Sequence, residues 1–171
     1  MFNVNELERD SRTGNFSAND IEAILPDLEK LKPNDIYLEI GVHFGKSLSV
    51  ARMVTNSHVK VIGVDLKEDP NVEGTMFYQG NSQEVAKIYD KAEISLLFID
   101  GDHTYKGVKK DIESWYPFVK KDGVIFFHDC DDTGISVMRA VLEFADTHTI
   151  KNIKFFKESS GKNSSMCRIE I

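Results

Sequence analysis

Apolar residues along the chain fall in short, nearly continuous runs separated by segments of helical periodicity. Ile36-Tyr37-Leu38-Glu39-Ile40, Val59-Lys60-Val61-Ile62-Gly63-Val64-Asp65, Met76-Phe77-Tyr78-Gln79, Ile94-Ser95-Leu96-Leu97-Phe98-Ile99-Asp100 and Gly123-Val124-Ile125-Phe126-Phe127-His128-Asp129 each read as a buried strand. Between them the pattern predicts helices over 17–31, from Ser47 to about Thr55, opening at Gly80-Asn81-Ser82, over 108–115, and over about 134–147. Ser17 is the expected N-cap of the first, with Asp20 in the capping-box position, and Leu31-Lys32-Pro33-Asn34 is its stop signal. This β-α alternation predicts a parallel sheet covered by helices on both faces. The pattern then changes: Ile153-Lys154-Phe155-Phe156-Lys157, a turn-rich stretch from Glu158 to Ser164, and Met166-Cys167-Arg168-Ile169-Glu170-Ile171 read as an antiparallel hairpin. Residues 1–16 show no periodicity and are either a frayed tail or a lid, leaving 17–171 as the single domain.

Composition excludes several classes. A chain of 171 residues is long enough to bury about 70% of its unfolded surface around one core. Its net charge of −7 disfavours a nucleic-acid partner. No apolar run is long enough to span a membrane, and the polar, acidic start Asn3-Val4-Asn5-Glu6 is unlike a signal peptide, so a cytoplasmic protein is expected. Cys130 and Cys167 form neither a metal-type pair nor a disulfide framework, and read as a loop thiol and a strand thiol.

Four strands end in acids, Glu39, Asp65, Asp100 and Asp129, at the sheet edge where open α/β folds bind ligands. After the first of them comes Gly41-Val42-His43-Phe44-Gly45-Lys46-Ser47, a glycine loop running into a helix, which is a nucleotide-shaped cofactor site. A dinucleotide fingerprint needs glycine where His43 stands, and a phosphate-binding P-loop needs four residues between the glycines where this chain has three. The remaining pattern, E-x-G-x-x-x-G-x-S, resembles the cofactor loop of class I S-adenosylmethionine (SAM) dependent methyltransferases. That resemblance implies a Rossmann-like, seven-stranded, mostly parallel sheet whose last strand is reversed. It also implies SAM as cofactor, with Glu39, Gly41, Gly45 and Ser47 around its methionine end. Asp65 ends the second strand, a position from which a carboxylate accepts hydrogen bonds from ribose hydroxyls. Asn81 and Ser82 fall at the adenine side, as contacts or as helix caps.

Asp100-Gly101-Asp102-His103-Thr104-Tyr105, followed by Asp111, Trp115, Asp122-Gly123 and His128-Asp129, adds a second signal. It resembles the branch of class I methyltransferases that contains macrolide-sugar O-methyltransferases and, more distantly, catechol O-methyltransferase. The resemblance runs from about Asn34 to the C-terminus. It implies Asp100 and Asp129 as ligands of a divalent metal, with Asp100 also beside the cofactor, and His103 as the base that takes the acceptor's proton. Position 128 departs from the branch, carrying His in place of an acid. If His128 is a ligand, manganese, iron or zinc suits the site better than magnesium. Asp102, Asp131 and Asp132 read as caps of the following helices, Trp115 and Tyr116 as core, and His43, His58 and His148 as loop or solvated residues.

These features predict a SAM-dependent O-methyltransferase for a small hydroxylated acceptor, a sugar or diol. No long insertion supplies a specificity domain, so association of copies would have to provide any missing walls. Two other classes fit parts of the pattern: a P-loop-like nucleotide phosphatase or kinase using Lys46 and Ser47, and a SAM-binding protein without catalysis.

Overall fold

The computed structural model describes residues 2–90, 92–130, 135–156 and 166–171. The elements are α1 (Val4–Asp10), α2 (Ala18–Leu28), β1 (Ile36–Ile40), α3 (Lys46–Val54), β2 (Lys60–Asp65), β3 (Met76–Gln79), α4 (Ser82–Ile88), β4 (Ile94–Ile99), α5 (Tyr105–Trp115), β5 (Val119–Phe127), α6 (Ile135–Thr147), β6 (Asn152–Phe156) and β7 (Met166–Glu170). They form one seven-stranded sheet in the order β3-β2-β1-β4-β5-β7-β6. β1 to β5 are parallel to their neighbours, while β7 runs antiparallel to both β5 and β6. This is the expected Rossmann-like methyltransferase architecture with its C-terminal antiparallel hairpin. The expected turn over Glu158 to Ser164, and Asp131 and Asp132, lie outside the described residues.

Strand alternation sorts the core into two layers. Ile36, Leu38 and Ile40 of β1 and Ile125 and Phe127 of β5 pack toward α4, α5 and α6 with Val85, Val108, Ile112, Trp115 and Phe144. Tyr37 of β1 and Val124 and Phe126 of β5 pack toward α1, α2 and α3 with Leu7, Ile21, Ile24, Leu28 and Leu48. Each fully buried side chain of this size stabilises the fold by about 1.5–3 kcal/mol relative to exposure. Trp115 is completely buried, as its spacing predicts.

Helix ends follow local chemistry. Ser17 caps α2 through a complete capping box in which Asp20 Oδ2 accepts from the Ser17 N–H and hydroxyl, both at 2.8 Å. α2 ends at Leu28 instead of residue 31; Leu31 N–H donates to Leu28 O in a closing turn. The Arg168 guanidinium grips Asp27 with two hydrogen bonds, of 2.7 and 3.1 Å, fastening α2 to β7. β5 begins four residues before the expected Gly123. Val119 pairs with Ile94, and Asp122, at φ 65°, takes up the register shift inside the strand. Among the described residues no helix is long and apolar enough to cross a membrane.

The N-terminal segment is ordered by packing. Leu7 and Phe16 are buried, and the Arg12 guanidinium donates to the carbonyls of Pro70 and Asn71, the latter at 2.6 Å. It thereby crosses to the carboxyl edge of the sheet.

Candidate active site

Between β1 and β4 the strand order reverses direction, and the crevice at their carboxyl ends opens into a cavity of about 620 Å³. One wall is the glycine loop. Gly41, His43 and Gly45 all have positive φ, of 87°, 51° and 81°. A Cβ on Gly41 would stand 2.1 Å from the backbone oxygen of Asp100, so no larger residue fits without moving the end of β4. The unfavourable conformation of His43 is held by Asp65, whose Oδ2 accepts from the His43 N–H at 2.7 Å and whose Oδ1 accepts from the Lys67 N–H at 2.8 Å. Asp65 therefore fixes the loop as well as facing the cavity.

Gly41, Ser47, Asp65, Asn81, Ser82, Asp100, His103, His128 and Asp129 all line this cavity, so most of the residues singled out by sequence converge there. Two do not. Glu39 is completely buried and lies beneath the floor, where the Tyr37 hydroxyl donates to Oε2 at 2.6 Å and the Ser47 hydroxyl donates to Oε1. Burial pushes its carboxyl up to about 8, against the lowering effect of those two hydroxyls. Gly45 is turned to the opposite side, where its Cβ position meets Val72 and Pro70. Both shape the loop from behind and are not among the residues that line the cavity.

The far end of the cavity is set by α4 and α5. Asn81 caps α4, its side-chain oxygen accepting from the N–H groups of Gln83 and Glu84 at 3.1 and 3.3 Å. The Trp115 indole donates to the Ser82 hydroxyl at 2.7 Å. Gln83 donates to Asp111, a wall residue whose carboxyl burial raises above the usual range. Asp102 accepts from the Thr104 N–H at 2.8 Å, and Thr104 caps α5, so Asp102 holds the turn as expected.

At the mouth, Asp100, His103 and Asp129 bring one potential ligand atom each to within 4.8 Å of one another. His103 Nε2 is 3.2 Å from Asp100 Oδ1, and Nδ1 is 3.2 Å from Asp129 Oδ2. The Asp100 contact raises the imidazole above its ordinary range, opposed by partial burial and aided by Asp129. His128 lies behind this group, 5% exposed, with Nδ1 3.4 Å from Asp100 Oδ1 and 3.3 Å from Asp129 Oδ2. Its Nε2 is 3.5 Å from Asp20 Oδ2. Burial alone would lower this imidazole, but the three carboxylates override it and push it up to about 12. Two carboxylates and an imidazole on one exposed edge are a donor set that suits manganese, iron or zinc, and the glycine-walled cavity behind them is large enough for a nucleoside.

Sequence reasoning left three parts of this site open or without a role in it. Thr13, Gly14, Asn15 and Phe16 line the cavity although no periodicity marks them. Lys46 lines it too, its Cβ 3.1 Å from where a Gly14 side chain would begin. Asp20, legible only as a cap, is buried under His128.

A single α/β domain with this strand order and a glycine-loop crevice defines a protein of the class I methyltransferase fold. The chain belongs to the methyltransferase-domain family, whose model matches residues 38–130, more than half its length. An uncharacterised protein of Acanthamoeba polyphaga mimivirus is 34% identical in an alignment of 116 positions, gaps included, that covers 56% of this chain and 52% of that one. The chain thus spans about half the length of the curated relative it matches. Among solved structures, an O-methyltransferase from Bacillus cereus in complex with SAH superposes with a TM-score of 0.73 at 13% identity, covering 98% of this chain and 90% of that one. A SAM-dependent O-methyltransferase from Thermotoga maritima gives 0.74 at 14%, covering 98% and 70%. MycE, a methyltransferase of the mycinamycin biosynthetic pathway in complex with Mg, SAH and mycinamycin VI, gives 0.73 at 16%, covering 98% and 54%. At these identities the likeness establishes the fold.

Proposed function

We propose that the protein is a SAM-dependent O-methyltransferase acting on a small hydroxylated acceptor, a sugar or diol, with a divalent ion at Asp100 and Asp129. The observation that carries this reading is the convergence of Asp100, His103 and Asp129 at the mouth of the glycine-loop cavity. When bound, SAM supplies a methyl group on a sulfonium sulfur, and its displacement by an acceptor oxygen leaves a neutral thioether. A divalent ion would lower the pKa of an acceptor hydroxyl held against it.

The chain's own residues do the rest. Gly41 and the loop fixed by Asp65 hold the cofactor's backbone-facing side, and the free lone pairs of Asp65 receive ribose hydroxyls. Asn81 and Ser82 bound the adenine end. Asp100 and Asp129 orient the acceptor's oxygens beside the methyl. His103, half exposed and standing between them, receives the proton that the acceptor hydroxyl loses as its oxygen–carbon bond forms. In-line transfer of this kind gains most from alignment of the reacting atoms, and a positioned base adds about 10²- to 10⁴-fold.

Calorimetry with SAM, SAH and ATP followed by an acceptor screen with and without chelator tests the reading. The expected result is binding of SAM and SAH, no binding of ATP, and methylation of a polyhydroxylated acceptor that chelator abolishes. Binding of ATP with magnesium but not SAM would replace it with a nucleotide-phosphate enzyme. Tight SAM binding with no transfer to any acceptor would leave a non-catalytic SAM-binding protein.

A further inference from the structure

Position 128 follows the alternation of β5. Phe126 packs toward α1, α2 and α3, and His128, two residues on and just past the end of β5, turns to the same side, 5% exposed at the back of the cavity. Its ring lies between Phe16 and Phe98, with centroids 6.3 and 6.2 Å away, and its backbone N–H donates to Ile99 O at 3.1 Å, holding the end of β5 against β4. The Nδ1 edge faces two acceptors at nearly equal distance, Asp100 Oδ1 at 3.4 Å and Asp129 Oδ2 at 3.3 Å. On the opposite edge Nε2 is 3.5 Å from Asp20 Oδ2, and that same oxygen is fixed by the Ser17 N–H and hydroxyl. A line of ion-pair contacts thus runs from the first turn of α2, through Asp20 and His128, to both acids of the cluster, the buried Nε2 facing Asp20 beyond hydrogen-bond geometry.

We infer that His128, braced by Asp20, is a positioning residue: it spans Asp100 and Asp129 from below and sets their separation for a divalent cation, without itself being a ligand. This rests on the metal reading of the cluster given above. The donor atoms that converge at the mouth are those of Asp100, His103 and Asp129, and the buried His128 lies behind them. With an apolar residue there, two partly exposed carboxylates would face each other with no donor beneath them and would splay apart. Partners behind metal ligands commonly hold those ligands in place, and their loss typically weakens metal affinity by about 10–100-fold.

The test is direct Mn²⁺ titration of the full chain, read from the paramagnetic resonance signal of free Mn²⁺, with SAH affinity by calorimetry alongside. Wild type, Asp100→Asn, His128→Phe, His128→Asn and Asp20→Asn are compared. Asn presents an N–H close to the position of Nδ1, whereas Phe fills the ring volume without one. Wild type should bind one Mn²⁺, and Asp100→Asn should lose it. His128→Phe should weaken it about 10–100-fold, and His128→Asn should restore most of the affinity, with SAH binding retained in the His128 and Asp20 variants. Wild-type Mn²⁺ affinity in His128→Phe overturns the inference, and so does an Asn variant as weak as Phe, which would make imidazole a ligand. Should His128→Phe lose SAH binding through misfolding, Asp20→Asn decides: weakened Mn²⁺ with intact SAH binding supports the inference, and unchanged Mn²⁺ overturns it. Wild type that binds SAH but no Mn²⁺ rejects the metal reading itself, and the inference with it.

Discussion

Glu39 offers the cleanest perturbation, because its surroundings are entirely protein. The carboxyl is fully buried under the glycine loop with two hydroxyls on its oxygens, and burial moves it from 4.5 up to about 8. In the unfolded chain it titrates near 4.3. Below that pH both states are neutral at this position, and it contributes no pH dependence. Between the two values the unfolded state alone loses its proton, so stability falls by about 1.4 kcal/mol for each pH unit. Integrated from about pH 5 to about pH 8, this one residue removes about 3–4 kcal/mol, and above that range the dependence ends because both states ionise. Glu39→Gln cannot ionise and keeps polar atoms against Tyr37 and Ser47. At about pH 5 the two proteins should differ by roughly 1 kcal/mol or less, and the variant should become the more stable of the two as pH rises. Urea unfolding followed by circular dichroism across that range measures both, and the difference between them cancels the other titrating groups. A difference that stays constant to within about 0.5 kcal/mol over the range would refute a neutral, buried Glu39.

Three further outcomes follow from the site. Asp65→Ala removes the acceptor for the His43 and Lys67 N–H groups and should weaken SAM binding by about 1–3 kcal/mol; unchanged affinity in a folded variant, by calorimetry, would exclude Asp65 from ribose recognition. Asp100→Asn and Asp129→Asn should each reduce divalent-ion binding while leaving SAM affinity largely intact. Chelator-resistant turnover of a verified acceptor would reject that role. His103→Gln should retain SAM affinity and lose about two to four orders of magnitude in turnover, and methylation near the wild-type rate would make His103 structural.

The strands were legible because five apolar runs, four of them ending near an acid, have few alternatives to a buried parallel sheet. The site was less so, because spacing fixes where a residue falls along a strand but not what lies under it. Glu39 shares a face with Tyr37, and the alternation of Ile36, Leu38 and Ile40 with these two already separates it from the open edge. His128 alternates with Phe126 in the same way. Asp20 is visible as a capping residue, but its approach to His128 depends on how α2 docks across the sheet, which no local pattern encodes. α1 spans only seven residues with a single deeply buried side chain, Leu7, too little for a helical period to emerge. The sequence pattern starts β5 at Gly123, where the apolar run begins, because Asp122 and Gly123 both favour turns over strand interiors. In the fold the same preference serves an irregularity inside β5, since pairing with β4 resumes at Val124.

The cofactor loop and the acid cluster are parts of one backbone unit. The Gly41 N–H donates to Val64 O at 2.9 Å, the Asp100 N–H to Ile40 O at 2.8 Å, and the His128 N–H to Ile99 O at 3.1 Å. The ends of β2, β1, β4 and β5 are thereby joined beyond the regular ladder, and the contact between Gly41 and the Asp100 carbonyl leaves no room for them to slide. Productive geometry for a displacement requires the reacting atoms to stand about 3–3.5 Å apart and aligned, and a misplacement of about 1 Å can cost 10²-fold. Under the proposed function the sheet would set that distance, by holding the Gly41 turn and the end of β4 at Asp100 in one register.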